Sequence, residues 1–129
     1  MKSPEVLKTL FWVGSALKDL RSFPVGVRRQ VGFALYLAQA GGKYVDAKPL
    51  KGFRGAGVLE ILEDHQGDTY RAVYTVKFAG AVYALHAFQK KSKKAVQTPK
   101  QHIELVKKRL KRAEEHHHEW LKERSGETR

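Results

Sequence analysis

Residues 58–88, VLEILEDHQGDTYRAVYTVKFAGAVYALHAF, decide the fold. The run divides into three stretches, 58–62, 70–78 and 81–88, each rich in β-branched or aromatic residues. The intervening residues around 65–68 and 79–80 leave room only for turns. Strands joined by short turns pair with their sequence neighbours, so an antiparallel meander is expected.

Working outward, residues 9–13 (TLFWV) predict a short strand and residues 16–21 a short helix. Pro24 suits the first turn of a second helix, since its missing N–H is not needed there. In that helix Val27, Val31, Ala34, Leu35 and Ala38 recur at the spacing of a buried stripe, and Gly41 and Gly42 end it. Residues 43–56, with Pro49, Gly52 and Gly55, predict a loop. Beyond the meander, Thr98 is placed as an N-cap, Pro99 at the first helical position and Gln101 three residues after the cap. Ile103, Val106, Leu110 and Ala113 continue as an apolar stripe, and the helix is expected to reach residues 120–121. The order predicts an α+β domain: an antiparallel sheet of about four strands, N-terminal helices packed on it, and a C-terminal helix. No repeat or linker interrupts it, so residues 1–129 are expected to form one domain with a core over about 9–115 and a flexible tail over 122–129.

Composition sets the outer limits. With 129 residues, 42% apolar and 29% charged, the chain is globular in composition rather than disordered. The absence of cysteine excludes disulfides, thiolate metal sites and cysteine nucleophiles. No apolar run approaches the roughly 20 residues of a membrane span, and residues 1–19 lack the apolar core and cleavage site of a signal peptide. A cytoplasmic protein without membrane association is expected.

The net charge is +12, and residues 87–112 carry +9 of it: ten Lys or Arg against the single acid Glu104. Part of this run, Lys90, Lys91, Lys93 and Lys94, precedes the helix. A basic strip crossing from loop to helix suits phosphate binding better than simple solvation of one helix face.

Six pieces of the chain, in order, resemble toxins of the RelE/ParE superfamily in type II toxin–antitoxin systems, and most of all a phage-derived, HigB-like branch. They are FPVGVRRQVG (23–32), QAGG (39–42), AKPLKGFRGAGVLEI (47–61), DTYRAVYTV (68–76), LHAFQKKSKK (85–94) and TPKQHIELVKKRL (98–110). The resemblance implies a small, commonly ribosome-dependent mRNA endoribonuclease that needs no metal or cofactor, in which the RNA 2′-hydroxyl attacks the adjacent phosphorus. It also implies a cognate antitoxin, HigA-like and carrying a helix-turn-helix domain, with mRNA and the ribosome as the other partners. The chain departs from the branch where an Arg often follows the Glu-containing strand motif: here Ile61 and Leu62 follow Glu60. Lys51 or Arg54 would have to replace it. A ParE-like gyrase-binding toxin and a degenerate member that only binds RNA or its antitoxin are the alternatives.

Such an enzyme must stabilise a pentacoordinate phosphate and move two protons. Arg71, inside a strand and placed by the resemblance, is the candidate for phosphate, with a salt bridge to Glu60 as its plainer role. Glu60 is read as a base or, preferably, as the group that orients Arg71. Lys90 and Lys91 end the last strand on opposite faces, so one of them at most is central. Clustered cations lower one another's proton affinity, which suits a lysine to acid–base work. His86 shares a face with Phe88 and could carry a proton near neutral pH, or simply be a satisfied core histidine. Tyr74, Tyr83 and Phe88 could stack on bases or fill the core. Lys51, Arg54, Lys93 and Lys94 complete the expected RNA-binding set. The run His116, His117, His118 and Glu119 is not expected to hold a metal, because consecutive helical residues diverge by about 100°.

Overall fold

The structure, a computed structural model, describes residues 6–55, 57–90 and 98–127. The elements are β1 (Thr9–Trp12), α1 (Ala16–Arg21), α2 (Val25–Gln39), β2 (Lys48–Pro49), β3 (Val58–His65), β4 (Asp68–Thr75), β5 (Ala81–Lys90) and α3 (Lys100–Glu127). They form an α+β domain around one five-stranded sheet of order β1-β5-β4-β3-β2.

The meander forms as expected. β3 and β4 close through Gln66 and Gly67, whose φ angles of 48° and 87° are the left-handed pair required by a two-residue hairpin loop. Two features correct the expected sheet. β1 lies parallel to β5, pairing Thr9 with Ala81 and Trp12 with Ala84, so the sheet is mixed. About seventy residues of chain separate the two strands, so no local turn dictates their relative direction. The stretch expected to be loop also contributes β2, a two-residue strand on β3. Pro49 is tolerated there because β2 is the outermost strand, where a missing N–H breaks no ladder.

Each side of the sheet carries helices. On one side α1 and α2 bury Leu20, Val27, Val31, Ala34, Leu35 and Ala38 against Ile61, Ala72, Tyr74 and Val82. These are the α2 stripe positions that the spacing predicts. The helix ends at Gly41, φ 86°, where the Gly42 N–H returns to the Leu37 carbonyl. On the other side Val106 and Ala113 of α3 pack on Val58, Val73, Tyr83 and Leu85. α3 continues through Glu127, beyond the expected end near 120–121, and so occupies most of the predicted tail. No helix among the described residues is long and apolar enough to cross a membrane.

One irregularity positions everything that follows. Val73 pairs with His86 but Tyr74 pairs with Ala84, leaving Leu85 as an extra residue in β5. This is a β-bulge. Before it, Tyr83 and Leu85 face α3 while Val82 and Ala84 face α2. Strict alternation would then turn His86 toward α2. The extra residue resets the count, and His86 instead reaches α3.

Candidate active site at the α3 face

Because of the bulge, five residues from three strands share the α3 side of the sheet: Glu60 on β3, Arg71 on β4, and His86, Phe88 and Lys90 on β5. Arg71 pairs with Phe88 across β4 and β5, and Glu60 lies one diagonal step from Arg71 across β3 and β4. Arg71 Nη1 stands 3.3 Å from Glu60 Oε1, an ion pair in which Arg71 is 2% exposed and Glu60 15%. Thr98, just ahead of α3, completes the cluster. Its hydroxyl donates to Glu60 Oε2 at 2.6 Å and accepts from Arg71 Nη1 at 2.9 Å. The residue expected as a helix cap thus spends its side chain on the strand cluster.

Lys90 is buried on the same face. Partial burial and then the Arg71 cation push its ammonium below the ordinary lysine range, and Glu60 only partly offsets them. Lys91, Lys93 and Lys94 lie outside the described residues.

His86 does not stand by itself. Its Nε2 is 2.8 Å from Nδ1 of His102 on α3, and its Nδ1 is 3.3 Å from Arg109 Nη1. Burial, His102 and Arg109 together push the imidazole down to about 4, with Asp19 opposing weakly. A group that stays neutral at physiological pH does not fill the expected role of proton carrier near neutrality. His102 is lowered as well, by burial first and the Arg71 cation second. Phe88 stacks nearly parallel on His102, with ring centroids 3.7 Å apart, and the three rings of Phe88, His102 and His86 form a compact triangle, with His86 4.9 Å from Phe88 and 5.0 Å from His102.

The remaining candidates fall elsewhere. Tyr83 is 1% exposed, lies 2.7 Å through its hydroxyl from His116 Nδ1, and stacks on Phe11. Its ring is enclosed by core, which corrects its assignment as a base-stacking residue. Tyr74 is buried just as fully, and burial pushes its hydroxyl up to about 12. Phe88 is 7% exposed and stacked on His102, so it too offers no open ring to a base. Lys51 and Arg54 are exposed on the loop after β2, anchored from beneath by buried Leu50 and Phe53, beside a groove of about 550 Å³. Among the described residues neither makes a hydrogen bond or ion pair to the Glu60–Arg71 cluster. The three consecutive histidines diverge: His116 meets Tyr83, His117 meets the Ala79 carbonyl at 2.9 Å, and His118 is exposed. Among the described residues no group of His, Asp or Glu side chains is placed to hold a metal ion.

Sequence reasoning missed Thr98, His102 and Arg109 as site residues. Arg109 is counted in the basic strip, yet it is 7% exposed and donates to the Leu85 carbonyl at 2.9 Å and to Ser15 Oγ at 3.0 Å. Gly14, φ 56°, leaves the space for it, because a Cβ there would sit 2.9 Å from Arg109 Nε. The available signal was position: 102, 106, 109 and 113 lie on one helical stripe with two apolar members.

Residues 18–111 match the family described as Phage derived protein Gp49-like (DUF891). The chain belongs to this family. No curated protein matches it in sequence. In fold the Gp49-like chain is similar to a mutant of the Escherichia coli toxin RelE in the free state, at 20% identity and TM-score 0.52, covering 83% of this chain and 98% of that one. A second similar structure is the toxin–antitoxin complex RelBE2 from Mycobacterium tuberculosis, at 20% identity and TM-score 0.42, covering 70% of this chain and 100% of that chain. The sheet with helices on both faces is thus a RelE-like fold.

Proposed function

We propose that this Gp49-like chain is the toxin of a type II toxin–antitoxin system and cleaves mRNA on the ribosome without a metal. The observation that carries the reading is the convergence of Glu60, Arg71, His86 and Lys90 on one sheet face, around the arginine that the toxin resemblance picks out. In the proposed reaction the 2′-oxygen bonds to phosphorus as the bond from phosphorus to the 5′-oxygen breaks. Negative charge grows on the phosphoryl oxygens, and the planar guanidinium of Arg71 suits that charge. Glu60 and Thr98 hold the guanidinium in place, so Glu60 acts as the orienting group. Lys90, with its lowered proton affinity, is the nearest candidate for a proton-transferring ammonium.

Arg71 is almost fully covered, so phosphate contact requires the Thr98 hydroxyl to leave its guanidinium. His102 lies one turn further along and is anchored on Phe88 and His86, so it can stay in place. Exposed Lys51, Arg54, Lys100, Lys107, Lys108, Lys111 and Arg112 would steer RNA toward this face. Lys93 and Lys94, where the sequence also places RNA contacts, would extend the same strip. The expected antitoxin is a HigA-like, helix-turn-helix protein encoded beside this chain. A ribosomal substrate places the protein in the cytoplasm.

Primer extension on cellular mRNA after induction, with and without translation, tests the proposal. Cuts confined to translated regions support it. Inhibition of gyrase supercoiling by the purified protein with intact mRNA would replace it with the ParE-like alternative. Undiminished cleavage by a folded Arg71→Ala, Lys90→Ala double variant would remove the proposed site.

A further inference from the structure

Arg109 carries only donors, because a guanidinium stays protonated and accepts nothing. Its Nη1 approaches His86 Nδ1 at 3.3 Å, so that nitrogen presents its lone pair. A neutral imidazole has one N–H, which His86 must therefore carry on Nε2. That N–H points along the 2.8 Å contact to His102 Nδ1, which must in turn accept. The proton of neutral His102 is thereby placed on Nε2. Among the described residues no hydrogen bond reaches that nitrogen. His102 is only half-buried, and Phe88 fixes its ring plane by stacking at 3.7 Å.

We infer that His102 is a hydrogen-bond donor to a phosphodiester oxygen, held as a neutral imidazole with its Nε2–H outward by the relay from Arg109 through His86. The inference deepens the proposed RNA-cleaving function and rests on it for the identity of the anion. His102 stacks on Phe88, and Phe88 pairs with Arg71 across β4 and β5, so one phosphate can lie between a guanidinium and an N–H. A neutral donor serves here where a cation would be hard to keep. The charges that act on the pair are Arg71 from β4, Arg109 from α3 and Asp19 from α1, with Glu60 and Lys90 adjoining Arg71. Two of the groups closest to the imidazoles are cations, and both oppose protonation. His102 would touch substrate. His86 and Arg109 act through it and are positioning residues.

Nitrogen-15 NMR of the full-length protein between pH 5.5 and 7.5 tests the relay without any activity. At pH 7 to 7.5 both imidazoles should show a protonated Nε2 and an unprotonated Nδ1, and His86 should keep that form down to pH 5.5. At pH 7 a protonated Nδ1 on either ring, or a cationic His102, overturns the inference. A 2′-O-methylated oligoribonucleotide, which cannot be cleaved, should shift the His102 Nε2–H resonance on binding; binding that leaves it unmoved also overturns it. His102→Phe keeps a ring on Phe88 and removes the donor, and should lower kcat about tenfold to a hundredfold, the range of a hydrogen bond to a charged group. His102→Gln, which keeps an N–H, should recover part of that loss. If the wild type cleaves mRNA and His102→Phe cleaves as fast, His102 has no such role and the endoribonuclease reading stands. If the wild type binds the oligonucleotide through His102 but cleaves nothing, the donor role stands and the endoribonuclease reading falls.

Discussion

The side of the sheet under α1 and α2 is closed with aliphatic and aromatic side chains from Leu20 to Ala87. The side under α3 is divided. Around Val106 and Ala113 it is equally dry, whereas toward the start of α3 it holds Glu60, Arg71, His86, Lys90, Thr98, His102 and Arg109. The dry side contributes stability by removing apolar area from water. The polar end stabilises far less for the same volume, since a buried ion pair roughly offsets its own desolvation. What that end supplies is a fixed arrangement of charge, and the fold accepts it where the neighbouring core is strong enough.

Substitutions that separate the two kinds of surface should have separable effects. The largest is expected at Arg71. Arg71→Ala should lower mRNA cleavage by about a thousandfold, within the range found when a preorganised charge-stabilising donor is lost. Primer extension on the folded variant measures this, and a loss below tenfold would break the assignment of the polar end to chemistry. On the dry side, Ile61 is fully buried. Ile61→Ala should cost about 2–5 kcal/mol in chemical denaturation and leave cleavage per folded molecule unchanged.

The third effect is one of pH. His86 is held at about 4 in the folded chain against its ordinary 6.5. Between those values the unfolded chain binds more protons. The contribution is therefore complete above about pH 6.5 and lost as the pH falls toward 4, on the order of 3 kcal/mol in all. Denaturation curves from pH 7 to pH 4 should show this decline, and His86→Gln should flatten it. The smallest effect belongs to the solvent-facing side of α3. Glu104 and Lys107 form an exposed pair at 3.6 Å, and Glu104→Gln should change stability by less than about 0.5 kcal/mol. A larger change would show that the outer helix surface is not the simple solvated layer the comparison assumes.

Much of the dry side was legible in the sequence. The α2 stripe follows from helical spacing, and the meander follows from short turns between β-favouring runs. Arg71 and Glu60 were legible as a pair because a charged residue inside a strand must meet a partner or an open cleft. The polar end was harder. Nothing in AVYALHAF marks Leu85 as an extra residue, since small and apolar side chains suit either face of a buried strand. His102 and Arg109 sit among lysines, so local charge hides their place on the stripe that faces the sheet. The direction of β1 depends on how the whole chain closes, which local patterns do not carry.

The bulge at Leu85 gives the site an arithmetic character. Pairing that ran straight through Leu85 would leave Ala81 to Ala84 in place and turn His86, Phe88 and Lys90 over as a group, so that an imidazole, a phenyl ring and an ammonium would exchange sides with Ala87 and Gln89. Every side chain of the candidate site would still be present in the chain. In this strand the side that a functional group faces depends on where the pairing skips a residue as much as on which residue it is. Relatives that keep the same letters but pair straight through this point would share the composition of the site without its geometry.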